Sequence, residues 1–172
     1  TVAEIARGYN ANITDNSQFL ICRIKAPYKD TREARIKKKR PDEMPKDSLA
    51  IVNLSNGNIQ KMASVKSFKV ADENAAYVAI LFEKKPVAAT PRQAQVDSTA
   101  RPATPAPAAR NNAEPVEEGT DLLLMNLTSG DTMVFPLVSE YFFNKKGNVL
   151  LMETTKKAND NKVKPAVVKL NL

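Results

Sequence analysis

The sequence predicts an all-β fold, a partial β-propeller of four-stranded antiparallel blades, and three observations carry that expectation. First, the 172-residue chain says nearly the same thing twice, DSLAIVNLSNG at 47–57 and TDLLLMNLTSG at 120–130. Second, the two copies keep an offset of 73, which pairs Leu49 with Leu122, Asn53 with Asn126, Gly57 with Gly130 and Val65 with Val138. Third, the spacings converge once insertions are removed. Without the 33 low-complexity residues 86–118 the offset becomes 40, and without the 18 residues 29–46 the distance from Phe19 to Tyr77 also becomes 40. A period of about 40 residues with four short strands per unit is the signature of propeller blades. A plain β-sandwich with chance similarity is the alternative.

The elements follow in order. GYNANITDNSQFLICRIK at 8–25 reads as strand, polar turn and apolar strand. Residues 29–46 form a charged insert with a short helix, for which Asp30 is the expected N-cap, Glu33 its capping-box partner and Pro41 the stop. SLAIV, a turn at Gly57 and a further strand follow, then VKSFKV and YVAILFE. Residues 86–118, rich in Pro, Ala and Thr, cannot bury enough apolar surface to offset their ordering entropy and are expected to be a disordered insert. The second copy repeats the pattern from DLLLMNL to VLLMETT, and AVVKLNL at 166–172 opens another unit. The strands of a blade are named A to D, with SFKV and YVAILFE as A and B, and DLLLMNL and TMVF as C and D. Continuous apolar runs such as SLAIV and DLLLM then mean strands covered on both faces. Both inserts join a B to a C strand, so they should decorate one rim. The expected content is about two full blades and part of a third within one domain, 1–172.

Composition narrows the chemistry. There is no His, which removes any Ser-His-Asp or Cys-His arrangement and any His-ligated zinc. The five glycines form no Gly-x-Ser-x-Gly, Gly-x-Gly-x-x-Gly or P-loop. Cys22 lies in the apolar run FLICRI and reads as a buried structural thiol. No catalytic, cofactor-binding or metal-ligating residue is assigned, and no cofactor is expected. The net charge of +7 is local: without 32–40, which holds six basic residues and one acidic, 20 basic residues face 18 acidic ones. That run, Arg32 to Arg40, reads as a solvated insert helix or as a patch for an acidic partner or nucleic acid. Without interleaved aromatics for base stacking, the solvated reading is preferred and no nucleic-acid partner is expected. Sequons at Asn12, Asn53 and Asn126 are read chiefly as turn chemistry. No apolar run reaches the roughly 18 residues of a membrane span. The N-terminus has no Met and no basic region ahead of an apolar core, and the chain is expected to be either processed or a piece of a longer protein.

Taken together, ARGYNANITDNSQFLICRIKAPYKDTREARIKKKRPDEMPKDSLAIVNLSNG, VKSFKV and GTDLLLMNLTSGDTMVFPLVSEYFFNKKGNVLLMETT resemble the N-terminal propeller of bacterial prolyl-oligopeptidase-like serine peptidases. The most specific parts are APYKDTREARIKKKRPDEMPKDSL and the paired L-x-N-L-x-x-G turns. The resemblance implies a propeller that caps an α/β-hydrolase domain carrying a Ser-Asp-His triad and restricts access to short peptides. It implies further blades and that hydrolase domain as partners, peptide substrate indirectly, and export to the periplasm or cell envelope. None of the triad positions exists in these residues, so the expected role is non-catalytic: gating and docking. The alternative is a stand-alone β-propeller-like module that binds protein or glycan.

Overall fold

The computed structural model describes residues 4–73, 76–84, 118–156 and 164–172. The chain is mostly strand, arranged in two antiparallel sheets. The first sheet is a simple meander of β1 (Gly8–Ile13), β2 (Phe19–Ile24), β3 (Ser48–Asn53) and β4 (Ile59–Met62). The second has β5 (Val65–Val70), β6 (Tyr77–Phe82), β7 (Thr120–Asn126), β8 (Thr132–Phe143), β9 (Val149–Thr154) and β10 (Ala166–Asn171), again in sequence order. Neither sheet closes into a barrel among the described residues. Sheets of four and six strands stand where two four-stranded blades and part of a third were expected, and β8 is the reason. Its first half pairs with β7 and its second half with β9, and Val138 pairs with both Thr120 and Thr154. One 12-residue strand therefore serves as the last strand of one unit and the first of the next.

The repeat is visible in backbone geometry. Arg7, Ser64 and Leu137 each precede the first strand of a unit, and each has a positive φ of about 60° (62°, 59° and 60°). Their carbonyls accept from the residue that follows the second strand: Lys25 at 3.1 Å, Glu83 at 2.8 Å and Thr155 at 2.9 Å. A non-glycine residue in this region is uncommon, so the same departure at three matched sites marks a recurring device. A register shift follows in each first strand, at Tyr9/Asn12, Val65/Ser67 and Val138/Glu140.

Side-chain alternation builds layers. Phe19, Ile21, Leu49 and Ile51 of the first unit meet Val78, Ile80 and Met125 of the second. The opposite face of the second unit, Ala79, Leu81, Leu122 and Leu124, meets Val138, Tyr141, Leu150 and Met152. Strands β6 and β7 are thus buried on both faces, which is why their sequences do not alternate with polar residues. A smaller cluster of Cys22, Ile24 and Ala50 lies on the far side of the first unit.

The connections that follow the second strand of each unit leave from one end of this stack. Val65 N–H donates to the Asp47 carbonyl at 2.9 Å and pairs with Phe82, which brings together the ends of β2 and β6. Val138 does the same for β7 and β9.

Helix α1 (Tyr28–Ile36) departs from the expected boundary. Its N-cap is Pro27 in extended backbone and not Asp30, which sits in the first turn without a capping hydrogen bond. Proline fits there because its fixed φ suits the helix entry and the N–H it lacks would have been unpaired. The helix also ends before Pro41. Lys38 N–H donates to Arg35 O and Lys39 N–H to Ala34 O, both at 3.0 Å, with Lys38 in the left-handed region at φ 50°. That is a Schellman closure with lysine where glycine is usual. Pro41 instead starts a 3-10 turn, Pro41–Glu43. Apart from Glu118, the expected disordered insert at 86–118 lies outside the described residues.

Candidate functional site

Among the described residues no group of three or more His, Cys, Asp or Glu side chains could hold a metal. What the fold does build is a groove. Strands β1, β5 and the second half of β8 pair on one edge only, with β2, β6 and β9. They lie beside one another, and a cavity of about 400 Å³ opens among Asn10, Asn12, Phe68, Lys69, Asp72 and Phe142. Each unit contributes its first strand to this wall.

Ser67 and Lys69 fix the spacing of the neighbouring first strands β5 and β8. The hydroxyls of Ser67 on β5 and Tyr141 on β8 are 3.0 Å apart. Lys69 Nζ donates to the Tyr141 carbonyl at 2.8 Å and lies 3.8 Å from the centre of the Phe142 ring. Burial pushes the Tyr141 phenol up to about 12, only partly offset by Ser67 and the Arg23 charge. The phenol therefore remains a neutral hydroxyl partner throughout the ordinary pH range.

A second polar cluster secures the end where the connections emerge. Asp47, at the exit of the first insert, accepts from the Tyr9 hydroxyl, from Ala26 N–H at 3.0 Å and from Arg23 Nη2 at 3.4 Å. Arg23 Nη2 also donates to the Val65 carbonyl at 3.3 Å, and Lys46 Nζ lies 3.9 Å from Glu83 Oε2. The exit of one insert thereby ties the first unit to the second. Desolvation raises the Asp47 carboxyl, but the bonds from Tyr9 and Ala26 and the charges of Arg23 and Lys25 outweigh it, and the carboxyl titrates below its ordinary value. Tyr9 is raised, first by desolvation and then by its bond to Asp47.

Cys22 is buried, and burial pushes its thiol up, which leaves it poorly suited to nucleophilic chemistry. Arg32, Arg35 and Lys37 to Arg40 are all exposed on α1 and the turn after it, away from the groove residues in the chain. Asn53 and Asn126 have their side-chain oxygens occupied by the N–H groups of Ser55 and Asn56, and of Thr128 and Ser129. The groove and the Asp47 cluster were not assigned from the sequence. Their one legible signal was the alignment of Phe68 with Tyr141. Asp47 gave none, because Tyr9 and Arg23 lie 38 and 24 residues away.

No family model matches the chain, and no curated protein sequence matches it. Several solved structures are similar at low identity, among them the following three. An acylaminoacyl peptidase from Pyrococcus horikoshii matches with a TM-score of 0.43 and 10% identity, over 92% of this chain and 19% of its own. An acylaminoacyl peptidase in complex with a chloromethyl ketone, Z-Gly-Gly-Phe, has a TM-score of 0.43 and 8% identity, over 91% and 18%. The β-propeller domain of the Trilobed protease from Pyrococcus furiosus gives 0.42 and 10%, over 88% and 35%. The chain thus spans about a fifth of the first two and about a third of the last. At these scores the similarities carry no argument about mechanism.

Proposed function

We propose that this chain is the non-catalytic propeller portion of a prolyl-oligopeptidase-like serine peptidase, and that its first strands form part of the wall of a channel that admits short peptides. The observation that carries this reading is the stack: three successive units bury their faces against one another while β1, β5 and the second half of β8 line one groove. A wall of stacked sheets is rigid because each layer is close-packed on its neighbour. Such a wall selects by cross-section, so extended short peptides pass and folded chains do not. The sequence resemblance to peptidase propellers supports the same reading.

The third unit supports further blades. In the alignment of units, Leu151 takes the place of the buried Ile21 and Ala79, yet it is 41% exposed, and Val167, in the place of the buried Leu49 and Leu122, is 74% exposed. In this reading another four-stranded unit covers them. The hydrolase domain would dock elsewhere on the ring and supply all of the chemistry.

The test is to read the coding sequence beyond Leu172 and assay its full product. We expect further four-strand repeats, then Gly-x-Ser-x-Gly with a later Asp and His. The enzyme should hydrolyse short peptides and spare folded proteins. A stop codon directly after Leu172 overturns the proposal. The alternative, a stand-alone module for protein or glycan, requires the isolated chain to be monodisperse. The exposed Leu151 and Val167 weigh against that.

A further inference from the structure

We propose that the α1 insert is a peripheral docking surface for a membrane rich in anionic lipid. This inference is independent of the peptidase reading.

Much of the positive charge of this insert has no acidic partner among the described residues. Between Lys29 and Arg40 lie seven basic residues. Among the described residues the ion pairs of this segment are Lys37 with Glu33, at 3.9 Å, and Arg40 with Asp42 and Glu43, at 3.1 and 3.7 Å. Lys29, Arg32, Arg35, Lys38 and Lys39 are exposed and pair with no acid among the described residues. The helix docks on the body of the protein by Ala34, which is buried, so the opposite face is left to solvent. On that face Tyr28, Arg32 and Ile36 recur at every fourth residue and form one stripe. Arg7 and Lys25 line a cavity of about 370 Å³ together with Tyr28 and Thr31, which extends the positive region beside the helix entry.

The apolar members of the stripe distinguish the partner. Tyr28 is 78% and Ile36 70% exposed, although both are large and apolar for a free surface. Phosphate groups of any polyanion would attract the cations. A nucleic-acid backbone offers nothing to cover Ile36, whereas the boundary between lipid headgroups and acyl chains covers an isoleucine and suits a tyrosine. Basic residues close to an anionic leaflet add roughly fivefold in affinity each. The Schellman closure at Lys38 turns the chain immediately after Ile36, which holds Lys37 to Lys39 next to the apolar stripe and prevents them from continuing along the helix.

The full product of the gene is floated on a density gradient with vesicles of phosphatidylcholine alone, with vesicles that also contain phosphatidylglycerol, and, in parallel, titrated with duplex DNA. Three forms are compared: wild type, Arg35→Glu/Lys37→Glu/Lys39→Glu, and Ile36→Ser, all changed at exposed positions. Wild type should bind only the anionic vesicles. The triple variant should lose on the order of 100-fold in affinity, and Ile36→Ser several-fold. Each of three results overturns the proposal: no binding to anionic vesicles at low salt, equal binding to uncharged ones, or capture of duplex DNA without capture of vesicles. An affinity unchanged in both variants overturns it too.

Discussion

Asn53 and Asn126 hold two hairpin turns that are the same turn built twice. Each side-chain oxygen accepts two backbone N–H groups, and each carbonyl accepts the N–H of the glycine four residues on, at 2.8 Å in both copies. Gly57 and Gly130 stand at φ 74° and 80°, where a side chain would be strained. Replacement of either asparagine by alanine should cost about 1–2 kcal/mol, and by nearly equal amounts, in urea unfolding. Gly119 is required for a different reason. A Cβ there would lie 2.3 Å from the Leu137 carbonyl oxygen and 2.4 Å from its carbon, both backbone atoms that cannot swing away. Gly119→Ala should therefore destabilise by about 2–4 kcal/mol, seen as a lower urea midpoint with little change in slope. The turn asparagines and glycines were legible because their chemistry is local. Asp47 was not, since its value comes from Tyr9, Arg23 and Ala26, which only the fold brings to it.

Elements were read well where pattern decides and less well where neighbours do. The apolar runs at 48–52 and 121–125 announced strands covered on both sides, and β3 and β7 sit between or beside packed clusters. The continuity of β8 was hidden because Pro136 and Leu137 look like a break. Leu137 adopts a positive φ while the ladder passes from β7 to β9, and that transfer depends on two partners outside the segment. The start of α1 was misplaced for a similar reason: Asp30 matches a capping pattern, yet Pro27 caps by backbone geometry alone. The close of α1 yields a prediction. Lys38 at φ 50° carries the cost of a left-handed residue, which glycine does not. Lys38→Gly should stabilise the protein by about 1 kcal/mol, read as a raised urea midpoint.

Over the whole molecule the units hold together by buried apolar faces and by a few polar ties, and those ties titrate. The Asp47 carboxyl is lowered from 3.8 in the folded state, so its contribution is complete above that value and is lost as pH falls through the folded one. Asp47→Asn should flatten the acid limb of a stability-against-pH curve below about pH 4. Tyr141 is raised from 10.0 to about 12, so its contribution is full below pH 10 and is lost as pH rises toward 12. Over that window about 2–3 kcal/mol should disappear, and Tyr141→Phe should remove the dependence. The layering and the repeat were readable from the 73-residue offset and the doubly buried runs. The groove was not, because free strand edges leave no mark on a sequence. The most direct measurement is a crystal structure of the protein produced with the residues its gene encodes after Leu172. The expected result is first strands set side by side around one axis, with a further sheet laid over Leu151 and Val167. A structure in which those two side chains face solvent, with the three units opened into one flat sheet, would contradict it.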